Sequence, residues 1–127
     1  MSQLNFILTD GVFSLGRLHP EDAILSRALS SDFYTILKIS EELSVVCESQ
    51  YIPAFIKQDA NRRLLKITAV LDLSLEGITA KFSTALTNAG ISLCIIATPK
   101  TDYIRVKQEK LQTAIAPLQD AGFILQQ

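Results

Sequence analysis

The chain has no tryptophan, one histidine, one methionine and two cysteines, and neither sign of charge prevails. Each scarcity excludes something. The single histidine, His19, has no Cys or second His at metal-ligand spacing, so it reads as a structural or solvent-facing residue rather than a metal ligand. No serine has a histidine partner in pattern, and no glycine-rich loop suits a phosphate. Catalysis by an activated nucleophile and nucleotide binding are therefore not expected; the chain reads as a non-enzyme without a cofactor. Twelve Lys+Arg stand against thirteen Asp+Glu, for a net charge of −1. That balance removes the electrostatic case for nucleic acid or an acidic membrane surface as partner. The longest basic cluster is Arg62-Arg63. RNA on an open sheet would also need about two or three exposed aromatics, and the strand expected at 102–107 offers only Tyr103.

Long apolar runs are missing too. None approaches the roughly 18 residues that span a bilayer. The first residues, MSQLNFILTD, lack a basic stretch followed by an apolar one and a cleavage site, so no secretory leader is expected. Cys47 and Cys94 lie far apart, each within a mostly apolar run. Buried free thiols in a reducing compartment are the expectation, against a single disulfide or a redox pair. The protein is expected in the cytoplasm.

What is present is an ordinary globular composition, 48% hydrophobic and 20% charged over 127 residues. A chain of this length buries about two-thirds of its unfolded surface on folding. The second half carries the clearer pattern. RLLKITAVL (63–71) alternates as a strand, with Leu65, Ile67, Ala69 and Leu71 on one face. A helix follows from about Ser74 to Asn88, with Leu75, Ile78, Phe82, Ala85, Leu86 and Ala89 in one apolar stripe. Asp72 or Ser74 is placed to cap its start, and Gly90 its end. ISLCIIA (91–97) and DYIRVK (102–107) read as a hairpin through Thr98-Pro99-Lys100-Thr101. A second helix covers 108–121, bent or fraying at Pro117, and Phe123-Ile124-Leu125 forms a last strand. The order β-α-β-β-α-β is the ferredoxin-like split arrangement, an antiparallel sheet with both helices on one face.

The first half repeats this in abbreviated form. VFSLGRL (12–18) reads as a strand, with Leu4–Leu8 pairing with it or preceding it through Thr9-Asp10-Gly11. His19-Pro20 opens a short helix ending near Leu29, FYTILKI (33–39) and LSVVC (43–47) form a hairpin, and YIPAFIKQ (51–58) a further short helix. Phe33 aligns with Ile91 at a spacing of 58 residues, a degenerate internal duplication. The first half has no obvious final strand of its own, which implies that the two modules share or exchange strands. The expected division is 1–60 and 61–127.

The runs LHPEDAILSRALSSDFYTILKISEELSVVC (18–47) and LKITAVLDLSLEGITAKFSTALTNAGISLCIIATPKTDYIRVKQEKLQTAI (65–115) resemble small tandem ACT-domain proteins of the CASTOR/ACT type. The strand–loop–helix LDLSLEGI, the helix-to-strand NAGIS and the hairpin ATPKTDYIRVK carry the likeness. It implies an α+β fold of two ferredoxin-like ACT modules in tandem, and regulatory binding of a small amino acid between modules or subunits, as a homodimer or against a protein partner. Pro99 stands where the family more often has an aromatic, and Arg105 where it more often has an apolar residue.

Gly77 raises the sharpest question, because glycine in a helix costs about 1 kcal/mol relative to alanine. The first amides of a helix have no partner within it and favour negative charge, so main chain alone can hold a carboxylate there. A missing side chain leaves that approach open. The resemblance implies that this loop receives the ligand's amino-acid backbone. The candidates are Leu73, Ser74, Glu76, Gly77 and Ile78, with Ala97 and Thr98 at the adjoining strand end. Ser74 and loop amides would take the carboxylate, Glu76 or a backbone carbonyl the ammonium, and Ile78 would line an apolar wall. Competing readings stand beside these. Gly77 equally suits close packing, Glu76 a favourable dipole contact, Ser74 a helix cap and Asp102 a turn hydrogen bond. The whole chain equally suits an interaction module with a vestigial pocket.

Overall fold

A computed structural model of the chain describes residues 4–68 and 75–126. Along them run β1 (Leu4–Leu8), β2 (Phe13–Leu18), a 3-10 turn (Ser26–Ser30), β3 (Thr35–Lys38), β4 (Leu43–Glu48) and a second 3-10 turn (Ser49–Tyr51). There follow β5 (Lys57–Ile67), α1 (Leu75–Asn88), β6 (Leu93–Ala97), β7 (Asp102–Lys107), a third 3-10 turn (Gln108–Lys110), α2 (Leu111–Asp120) and β8 (Phe123–Gln126). These elements gather into two compact units, Gly11–Arg62 and Met1–Asp10 with Arg63–Gln127. The first strand thus belongs with the later unit rather than with residues 1–60.

In the later unit β7 pairs with β5 and with β6, and β1 lies between β5 and β8. β1 runs antiparallel to β5, with Phe6 opposite Ile67, and parallel to β8, with Leu4 opposite Phe123. Without β1 the order is β8-β5-β7-β6, the split βαβ arrangement expected of the sequence. The N-terminal strand has been inserted into that sheet. Its alternation explains why it fits: Phe6 is fully buried in the same core as Leu65, Ile67, Phe82 and Phe123.

α1 forms where the sequence places it. Ile78, Phe82 and Leu86 recur every four residues and all are buried, so one stripe of the helix faces the sheet. At its end the Ile91 amide donates to the Leu86 carbonyl at 3.0 Å and the Gly90 amide to the Thr87 carbonyl at 2.9 Å. Gly90 has φ +76° there, the left-handed conformation this kind of helix end requires. α2 follows the third 3-10 turn and ends at Asp120, three residues beyond Pro117.

The unit Gly11–Arg62 has the strand order β3-β4-β2-β5. This is the same split topology with both crossovers shrunk to single 3-10 turns, so the two helices expected here do not form. Over 19–29 the Asp22 amide donates to the His19 carbonyl at 2.9 Å, while the His19 amide donates to Asp22 Oδ2 at 2.9 Å. A short acidic side chain bonded to nearby backbone favours a turn over a helix. Over 51–58 the Ile56 amide closes a turn on the Pro53 carbonyl at 3.0 Å, and Gln58 Nε2 donates to Pro53 O and Ile56 O at 3.1 and 3.2 Å. β5 begins immediately after. Ala28, Val45, Cys47 and Ile52 make a small core of their own.

β5 serves both units. Lys57–Arg62 supplies the last strand of one and Arg63–Ile67 the first of the other, the strand sharing implied by the missing final strand. Opposite β2, the register moves from Leu15–Asp59 to Phe13–Arg62, so β5 carries one extra residue there. Asn61 sits in this bulge at φ +62°, a conformation asparagine tolerates better than most residues.

The cysteines divide. Cys47 is buried, and burial, with the charge of Glu48 adding to it, pushes its thiol up to about 11. Cys94 is exposed, against the expectation that both would be buried. Its apolar run is an edge strand with β7 as its one neighbour among the described residues, and Cys94 lies opposite Arg105, on the sheet face turned away from Ile104 and Val106.

Candidate functional site

The β6–β7 hairpin is tied to the end of β5 and to α1 by the bonds of Thr101 with Ile67 and of Asp102 with Thr79. Leu73 and Ser74 lie outside the described residues, and Glu76 is described by its backbone alone. Gly77 occupies the first turn of α1 and is exposed. A Cβ added to it would meet nothing within 4 Å. Close packing against the described residues is therefore not what requires a glycine at this position. Ile78, one residue on, is 6% exposed and belongs to the core with Phe82 and Leu86.

Ala97 and Thr98 lie at the end of β6, both exposed. Ala97 pairs with Asp102 in the hairpin ladder. The Thr98 hydroxyl works inside its own turn: it donates to the Thr101 carbonyl at 2.6 Å and accepts from the Thr101 and Lys100 amides at 3.0 and 3.3 Å. The Thr98 amide also donates to Thr101 O at 2.9 Å. Pro99 fits such a turn because its missing donor is not needed there. The Thr101 hydroxyl in turn donates to the Ile67 carbonyl, tying the hairpin to the end of β5.

Asp102 is the residue that local sequence reading assigned to a turn. Instead its side chain is 7% exposed, and Thr79 Oγ1, itself buried on α1, donates to Asp102 Oδ2 at 2.6 Å. The bond joins residues 23 apart, a separation that no local pattern reports. Among the described residues no lysine, arginine or histidine lies within ion-pairing distance of it; Arg17–Asp59, at 3.2 Å, is the one such pair.

An open depression of about 370 Å³ lies at the other end of α1, lined by Thr87, Gly90, Ile91, Ser92 and Leu93. It has no titratable side chain, and the carbonyl end of a helix repels anions, so it does not compete as a carboxylate site. Among the described residues no group of three or more His, Cys, Asp and Glu is arranged to hold a metal. No described helix is long and apolar enough to cross a membrane.

Comparison with known proteins agrees with this architecture. Residues 59–120 match the family model of the ACT domain, and residues 11–54 match the model of an N-terminal domain. No curated protein sequence matches the chain. Among solved structures, a protein from Agobacterium tumefaciens superposes with a TM-score of 0.89 at 24% identity, covering 98% of this chain and 95% of that one. A Vibrio cholerae protein of unknown function, described as a possible transport protein, gives 0.77 at 28% identity, with 94% and 91% covered. The regulatory subunit of aspartate kinase from Thermus thermophilus gives 0.64 at 13% identity, with 91% and 96% covered. The fold is thus the mixed α+β, ferredoxin-type fold of ACT-domain structures.

Proposed function

We propose that this chain is a non-enzymatic regulatory module of the tandem ACT kind, the CASTOR/ACT type, which binds a small amino acid where modules or subunits meet. The carrying observation is Gly77: an exposed glycine in the first turn of α1 whose missing side chain leaves space that no atom of the described residues fills. An approaching carboxylate reaches the helix's free amides through that gap. The match of residues 59–120 to the ACT domain supports a regulatory role, as does the fold shared with a regulatory subunit of aspartate kinase. In this reading Leu73, Ser74, Glu76, Gly77 and Ile78 surround the ligand, with Ala97 and Thr98 at its edge. A second copy of the chain pairs along β6, an edge strand without a charged residue whose Ile95 is 44% exposed. Unblunted edges of this kind accept another strand. The unpaired thiols suit a cytoplasmic setting.

The second reading, an interaction module with a vestigial pocket, draws its support from Thr98, whose hydroxyl is spent within the hairpin turn. Thermal melting against the proteinogenic amino acids separates the two. A ligand at about a hundred times its dissociation constant adds about 2.7 kcal/mol to stability, a readily measured rise in Tm. If no amino acid raises Tm, the sensing role is lost and the interaction role stands.

A further inference from the structure

We infer that the helix-free face of the sheet in the later unit docks an extended acidic segment of a partner protein. The inference stands without the amino-acid-binding reading above and adds the surface through which a regulatory module reaches its target. Alternation along β7 builds this face. Asp102 is bonded to Thr79 of α1, and Ile104 and Val106 lie in the core with both helices. Tyr103, Arg105 and Lys107 therefore project from the opposite side. Lys66 joins them, because its neighbours Leu65 and Ile67 both face the core, and its ammonium lies 5.9 Å from the centre of the Tyr103 ring. Ile7 stands opposite Lys66, Ile96 opposite Tyr103 and Cys94 opposite Arg105. Lys107 is exposed, and Lys66, Tyr103 and Arg105 are partly so.

Charge is segregated here although the chain as a whole is nearly balanced. In β1, β6, β7, β8 and Arg63–Ile67 of β5 the one acidic residue is Asp102, on the helix side. Among the described residues no carboxylate stands within ion-pairing distance of Lys66, Arg105 or Lys107. Like charges gathered on one sheet face repel, and an anion that settles among them relieves the repulsion. Arg105 is the telling member, since it stands where the ACT resemblance more often places an apolar residue. Tyr103, Arg105 and Lys107 recur about every 7 Å along their strand. An extended segment with acidic residues at alternate positions presents carboxylates at the same interval. Single-stranded RNA fits less well: a sheet that binds it stacks bases on about two or three aromatic rings. Among the described residues of these strands the face offers Tyr103 alone, with Lys66 over it.

The test uses the full chain and a fluorescein-labelled peptide in which glutamate alternates with serine. A glutamine–serine peptide and an oligouridylate, labelled in the same way, serve as comparisons. Binding is read by fluorescence anisotropy at low salt. Two paired variants change the net charge equally: R105Q with K107Q on the face, and K81Q with K110Q, exposed residues outside these strands. The expected result is binding of the glutamate peptide that weakens as salt rises. It falls about tenfold in the face pair, while the other pair matches the unmodified protein and the glutamine peptide does not bind. No binding of the glutamate peptide, or equal loss in both pairs with native circular dichroism, overturns the inference. Tighter binding of the oligouridylate through the same residues overturns it in favour of nucleic acid. Should the face pair not fold, carbodiimide coupling of the glutamate peptide to the unmodified protein decides. A link on Lys66 or Lys107, located by mass spectrometry, supports the docking face, and links confined to other lysines overturn it.

Discussion

The Phe82 ring stands edge-on to Phe123, with centroids 4.9 Å apart and planes at 79°, and Phe6 meets Phe82 in the same way at 5.6 Å. Helix α1 and strands β1 and β8 are thereby joined through one fully buried side chain. Phe82→Ala should cost about 3–5 kcal/mol, the range for deleting a buried aromatic with its contacts. Chemical denaturation measures it; a loss below about 1 kcal/mol would mean that the site collapses around the gap.

The two thiols should react differently. Cys94 is exposed and Cys47 is not. A thiol-specific chromogenic reagent is expected to modify Cys94 quickly in the native protein, and Cys47 only in denaturant. Mass spectrometry after a short native exposure should place the label on the peptide containing Cys94. Rapid native labelling of both would contradict the buried position of Cys47.

Alkaline pH should expose the cost of burying Cys47. Its thiol is held at about 11 in the folded chain against an ordinary value of 9.0. Above the lower value the unfolded chain gives up this proton while the native chain keeps it, so unfolding is favoured as pH rises. The contribution is intact below pH 9.0 and is lost progressively toward about 11. Because lysines and tyrosines titrate in the same range, the measure is a comparison. Tm of Cys47→Ala should fall less steeply across that interval than Tm of the unmodified protein.

Gly77 should show a conflict between stability and binding. Nothing stands where its Cβ would be, so Gly77→Ala should stabilise the helix by about 0.5–1 kcal/mol. Gly77→Leu should melt at or above the unmodified protein yet lose the rise in Tm given by the amino acid. A variant that retains the full rise would remove Gly77 from the ligand's path.

Several of these residues could be read in advance and others could not, for physical reasons. The stripe Ile78, Phe82, Leu86 and the glycine that ends α1 are local signals, and they locate the end of the helix at Asn88. The β6–β7 hairpin announces itself through Thr98, Pro99 and Asp102. The short helices expected at 19–29 and 51–58 had favourable prolines, but the Asp22 carboxylate and the Gln58 amide bond back to the nearby main chain and give turns. Cys94 sat in an apolar run that suggests burial, and only the strand order reveals an edge. Asp102 looked like a turn residue because its partner, Thr79, belongs to another element. The insertion of β1 beside β8 was likewise invisible, since nothing in LNFIL distinguishes two neighbours from one.

The shared strand has a further consequence. Cutting the polypeptide after Arg62 to obtain each half separately would leave each its own stretch of β5 but strand β1 on the wrong piece, parted from β5 and β8 that flank it. It would also leave raw backbone on both fragments, ready to seize any extended peptide at hand. Removing Asn61, within the bulge, would by contrast keep the faces of the strand as they are, because Asp59 and Arg62 would then stand two apart opposite Leu15 and Phe13. The halves are thus bound to be inherited, expressed and lost together, however closely each imitates a freestanding domain.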